Sequence, residues 1–180
     1  MKIIISKIMK NIHKLGISVD IEDWYHIPSV CGSPFSVYKD TDDFFKHWNE
    51  RYDYLSKPTK SILDLLQQYG IKATFFVVGE IVQHYPNLVG AIAEQGHEIA
   101  CHGVTHRHPR QMNQTEWLRE VWQDRLTLEE LTGGIVQGMS YAFGEYYPEQ
   151  VEALCAMGIQ YSRTVESTGS FALPQELLRW

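Results

Sequence analysis

The sequence predicts an α/β fold: a mainly parallel sheet with helical crossovers in a barrel-like (β/α) arrangement. Short apolar, β-branched segments alternate with segments of helical periodicity along the 180 residues. Such repeats imply parallel pairing, because a parallel return needs a crossover connection. Polar residues cluster just after the strand ends, where β/α barrels place their chemistry. No GxGxxG or Walker-type loop follows any strand, which argues against a nucleotide-binding sheet.

The elements follow in order. Residues 15–19 form a short apolar strand delivering Asp20, Glu22 and Asp23 at its C-terminal end. Residues 59–69 have helical spacing, with Ile62, Leu65, Leu66 and Tyr69 on one face, Thr59 as N-cap and Gly70 in the left-handed C-terminal position. Residues 73–78, rich in aromatic and β-branched side chains, form the clearest strand. Residues 80–95 are helical, interrupted at Pro86 and closed by Gly96, and residues 98–101 form a buried strand running straight into His102. A long helix spans 115–131, with Leu118, Val121, Trp122, Arg125 and Leu126 at helical spacing, and Gly133 and Gly134 stop it. Short strands around 139–141 and 159–162 flank a helix from about 148 to 157. The connection 24–58 is long and aromatic, with an amphipathic helix expected from Thr41 to about Leu55. It reads equally as a functional lid or as a cover over the end of the core.

The length fits one domain, residues 15–180, behind an N-terminal extension of residues 1–14. A net charge of −6 gives no reason to expect nucleic acid or an anionic membrane as partner. Cys31, Cys101 and Cys155 are odd in number and widely spaced, so they read as free thiols of a reducing compartment. At the N-terminus three isoleucines give way at once to Ser6 and Lys7, too short for a secretory signal, and no run is long enough to span a bilayer. A cytoplasmic location is expected.

His102 and His106 directly follow a strand, four positions apart; one helical turn there would point both imidazoles the same way. Neutral imidazole is a common zinc ligand, but an HxxxH pair alone is a weak signal. Asp20, Glu22 and Asp23 at a different strand end strengthen it. One carboxylate completes a two-histidine, one-carboxylate site, and another acts as base toward metal-bound water. Of the other histidines, His13, His47 and His84 read as surface residues, His97 as orienting a neighbour, and His26 as able to approach the site from the long loop, while His108 is assigned no role.

The segments 18–24 (SVDIEDW), 73–77 (ATFFV), 96–99 (GHEI) and 102–106 (HGVTH), in this order and separation, resemble the polysaccharide deacetylases, or NodB-like carbohydrate esterases. The likeness runs from about residue 15 to at least residue 145. It implies a distorted β/α barrel and a divalent ion, most often Zn²⁺, held by a carboxylate with His102 and His106. Cobalt, nickel or iron would suit the same donors. By position Asp20 resembles the general base. Glu22 or Asp23 would be the carboxylate ligand, with Glu22 favoured by its one-residue spacing from Asp20. The Phe143 amide would be the oxyanion donor.

The substrate class implied is a carbohydrate or amino sugar bearing an N-acetyl group. A small-substrate amidohydrolase or deformylase, or a non-catalytic metal- or sugar-binding remnant, is the alternative. Two departures stand out. In the stretch 140–144 (SYAFG) serine stands where the family has its base-orienting arginine, and no histidine follows His108 to serve as general acid. The C-terminal part of the family domain is expected to be missing, and with it much of the turnover.

Overall fold

The structure is a computed structural model and describes residues 16–23, 26, 53–167, 169 and 174–180. Five strands form one parallel sheet in chain order: β1 (Ser18–Ile21), β2 (Thr74–Val77), β3 (Glu98–Cys101), β4 (Gly138–Ser140) and β5 (Tyr161–Arg163). The helices are α1 (Ser56–Gln68), α2 (Gly79–His84), α3 (Pro86–Glu94), α4 (Gln114–Thr132) and α5 (Pro148–Ala156). All pairs are parallel, as the alternating pattern predicts, and the sheet curls into half a barrel.

Strand alternation divides the labour between the two faces. Ile21, Phe75, Val77, Ile99, Cys101 and Met139 belong to the core that the helices cover. The other set includes Asp20, Phe76, Ser140 and Arg163, which the register ties together: Asp20 lies opposite Phe76, and Ser140 opposite Arg163. At one end of this concave face, Ser18, Thr74, Phe76, Tyr161, Arg163 and Trp180 line a cavity of about 280 Å³.

Several local expectations shift. β1 begins at Ser18 and includes Asp20, so this carboxylate stands on the strand and only Glu22 and Asp23 follow it. Helix α1 starts earlier than expected, with the Asp53 carboxylate accepting from the amides of Leu55 and Ser56; Thr59 is buried mid-helix rather than capping. Its buried face is Thr59, Leu63 and Leu66, while Leu65 and Tyr69 are exposed. In α4, Trp117, Val121, Asp124 and Leu128 are buried, while Trp122 and Leu126 face outward. Both sequences carry two adjacent apolar stripes of equal period, and the surface each helix rests on selects between them. Asn113 and Glu116 form a capping box at the start of α4, and Gly133 at φ 66° ends it.

The edge of β5 is paired. The Trp180 amide donates to Ser162 O and the Thr164 amide to Trp180 O, the pattern of parallel pairing, which sets Trp180 alongside Arg163. Of the amphipathic helix expected over 41–55, residues 53–55 are described and are not helical; its remainder, His13, His47 and Cys31 lie outside the described residues.

Candidate metal centre

Three strand ends deliver the polar residues to one place. His102 leaves β3 and its Nδ1–H donates to Ser140 O at 2.9 Å; the His106 Nδ1–H donates to His26 O at 2.8 Å. A carbonyl can only accept, so the proton of each ring sits on Nδ1 and both Nε2 lone pairs are left for a ligand. The rings meet edge to face, 4.5 Å between centroids. The segment between them is not a helical turn: Gly103 (φ 81°) and His106 (φ 52°) are left-handed, and this irregular loop brings the imidazoles together.

Glu22, His102 and His106 each offer a ligand atom within 4.8 Å of the other two. Glu22 Oε2 is buried without a hydrogen-bond partner, a costly state for a carboxylate oxygen unless a proton or cation meets it. Asp23 turns elsewhere. It is buried, accepts from the Tyr85 hydroxyl at 3.1 Å, and its own amide donates to His26 Nδ1. Of the two carboxylates left open by the sequence, the described residues bring Glu22, not Asp23, to the histidine pair.

Asp20 stands beside the cluster, its Oδ2 3.9 Å from His102 Nε2. One Nη of Arg163 lies 2.6 Å from both Asp20 oxygens and 2.8 Å from Ser140 Oγ. The guanidinium absent at position 140 is therefore present one strand over, at its register partner. The small Ser140 side chain leaves the space and adds an acceptor. The Arg163 guanidinium also lies over the Phe76 ring, 4.9 Å from its centroid.

Phe143 forms the rim. Its backbone is left-handed (φ 58°, ψ 11°), and its ring lies 4.6 Å from that of His106 and stacks on His108 at 3.6 Å. His108 Nδ1 is 3.3 Å from Glu145 Oε2, and Arg110 pairs with the same carboxylate. His26, 1% exposed, adds its own side chain behind the site, with Nε2 3.3 Å from Glu80. His97 accepts from the Ala73 amide, an orienting contact distant from the centre, and His84 is exposed.

Burial governs the electrostatics. It holds the His106 imidazole down to about 3, helped by neighbouring His102, and lowers His102 as well. Burial, with the Asp20 charge adding and Arg163 opposing, pushes the Glu22 carboxyl up to about 7. Two neutral imidazoles and a carboxylate oxygen without a hydrogen bond are the form in which these groups act as ligands, and this N/O set could hold a divalent cation of the zinc type.

The sequence did not single out Arg163, Asp124, Glu120 or Tyr85. An acidic residue on the apolar stripe 117, 121, 124 and 128 was the available signal for Asp124. Arg163, on the last short strand, carried none.

The family profile described as polysaccharide deacetylase matches residues 46–162. A peptidoglycan-N-acetylglucosamine deacetylase of Bacillus cereus is 33% identical over 94 residues, 52% of this chain and 34% of that protein. Among solved structures, a putative polysaccharide deacetylase from Mycobacterium smegmatis superposes with a TM-score of 0.66 at 23% identity, over 83% of this chain and 50% of that one. A carbohydrate esterase family 4 pseudoenzyme from Bacillus anthracis superposes at 0.60 and 17% identity, over 84% of this chain and 43% of that one. The chain thus spans about a third of the length of the curated relative and half or less of these structures. With the profile covering more than half of its residues, the chain belongs to the polysaccharide deacetylase family.

Proposed function

We propose that the chain is a metal-dependent hydrolase that removes N-acetyl groups from a glycan or amino-sugar substrate. The observation that carries this reading is the convergence of Glu22, His102 and His106, with Glu22 Oε2 buried, without a hydrogen bond and 3.6 Å from His106 Nδ1, beside an Asp20 fixed by Arg163. The curated relative's name, a deacetylase of N-acetylglucosamine in peptidoglycan, supports the substrate class.

Glu22, His102 and His106 would hold the ion, with zinc the metal best suited to these donors, and a divalent ion there would supply Lewis acidity toward the acetamide carbonyl and lower the pKa of water. Asp20 accepts the proton of the attacking water and returns it to the amine nitrogen as the C–N bond breaks and acetate leaves. Arg163, itself anchored by Ser140 Oγ, holds that carboxylate in place. The Phe143 amide donates to the oxygen that gains charge as the carbonyl becomes tetrahedral. The left-handed backbone at Phe143 is the kind of strained geometry that persists at such sites.

The test is metal content and acetate release in one preparation. Stoichiometric zinc, lost in His102→Ala and His106→Ala, with slow acetate release from acetylated chito-oligosaccharides, is the expected result. Absence of bound ion overturns the metalloenzyme reading. An ion without acetate release points instead to a small amide substrate or to binding alone.

A further inference from the structure

The loop from His102 to His106 carries two of the proposed ligands and has no regular structure of its own, with left-handed backbone at Gly103 and His106. Its shape is imposed by two helices. From one side, the first amides of α2 donate to the loop: Gly79 N to Gly103 O and Glu80 N to Val104 O, each at 2.9 Å. From the other side, α4 presents two carboxylates one turn apart. Asp124 Oδ2 accepts the His102 amide at 2.8 Å. Glu120 Oε2 accepts both the Thr105 amide at 2.8 Å and the Thr105 hydroxyl at 2.9 Å. Residues 102, 103, 104 and 105 are each tied by a backbone group.

Residues four apart on a helix share a face, so Glu120 and Asp124 act as one two-pronged template. Asp124 is fully buried, a rare and costly place for a carboxylate. Its Oδ1 has no hydrogen-bond partner. Packing alone would be better served there by leucine, as at Leu128 one turn on. Gly79 is matched to the template: a side chain at that position would come within 2.9 Å of Asp124 Oδ1 and 3.2 Å of the Val104 backbone.

We propose that Glu120 and Asp124 are positioning residues that set the loop so that His102 and His106 converge before any ion arrives. The proposal rests on the reading of these histidines as ligands. Partners behind metal ligands typically change metal affinity about 10–100-fold when removed.

The experiment measures zinc affinity by competition with a chelating dye, on chains shown to be folded. Glu120→Ala and Asp124→Ala should each weaken binding about 10–100-fold. Glu120→Gln and Asp124→Asn, which keep an acceptor oxygen, should recover most of it. Leu128→Ala, a core truncation on the same helix, should lower the melting temperature and leave zinc affinity unchanged. Wild-type affinity in folded Glu120→Ala and Asp124→Ala, or an equal loss in Leu128→Ala, overturns the proposal. Where Asp124→Ala does not fold, Glu120→Ala decides. If the wild-type chain binds no zinc, the ligand reading falls separately. Amide exchange of His102 and Thr105 in the metal-free chain then decides the template: protection lost in the variants supports it, and unchanged protection overturns it.

Discussion

Arg163 places one guanidinium nitrogen 2.6 Å from each oxygen of Asp20, joining residues 143 positions apart in sequence. The contact ties β5 to β1 across the concave face and fixes the carboxylate proposed as base. General bases contribute roughly 10²–10⁴ in rate, and orientation is part of that contribution. We expect Arg163→Ala to lower kcat for acetate release by about 10²-fold, with KM and zinc content little changed. Arg163→Lys should recover part of the loss, because ammonium restores charge without the planar fork. The double variant Ser140→Arg/Arg163→Ser, which moves the guanidinium back one strand, should outperform Arg163→Ala. Kinetics on the four proteins provide the check, and an unaltered kcat in Arg163→Ala would remove Arg163 from the mechanism.

Glu22 and Asp23 are neighbours with different partners, so their variants should separate. Glu22→Ala should abolish stoichiometric zinc and leave the fold intact. Asp23→Ala should retain zinc and lower stability by about 1–3 kcal/mol, the usual range when a buried hydrogen-bonding partner is deleted. Elemental analysis and thermal melts distinguish the two, and zinc retained by Glu22→Ala with loss in Asp23→Ala would reverse the assignment.

The stability of the metal-free chain should fall on acidification. Burial holds His97, His102 and His106 below the ordinary 6.5, the last at about 3. Below 6.5 the unfolded chain takes up protons on these three imidazoles before the folded chain does. Their contribution is therefore present above 6.5 and lost as pH falls through the folded values. Glu22 works in the opposite sense. Its carboxyl is raised from 4.5 to about 7, so its contribution is present below 4.5 and lost as pH rises through about 7. Burial likewise holds the Asp124 carboxyl well above 3.8, in the same sense as Glu22; three imidazoles still outnumber two carboxyls, and the melting temperature should drop as pH is lowered from 6.5 toward 4.5. A flat or rising melting temperature across that window would refute this balance.

Gly144 stands in the left-handed region at φ 68°, immediately after Phe143, and a side chain there would run into Val165. Gly144→Ala should lower stability by about 1–2 kcal/mol from backbone strain alone. It should also reduce acetate release by displacing Phe143. A denaturant melt and an activity assay measure the two effects, and a wild-type melt would show that the turn has another way to relax.

By itself the sequence determined the order of strands and helices, their parallel sense and the candidate chemistry at the ends of β1 and β3. These features are local: alternating and helical periods, glycine stops such as Gly70, Gly96 and Gly133, and polar residues abutting apolar runs all lie within a few residues of each other. Which stripe of α1 and α4 is buried depends on packing, because two adjacent stripes have the same period and the packing partner breaks the tie. The tertiary structure also brought Glu22 rather than Asp23 to the histidines, since neighbouring residues at a strand end point in different directions and the Tyr85 hydroxyl receives Asp23. The arginine that serine at position 140 seemed to exclude is supplied by Arg163, through a strand register no local pattern encodes. Periodicity is written in the chain, whereas side chains far apart in sequence meet only once sheet curl and register bring their strands together.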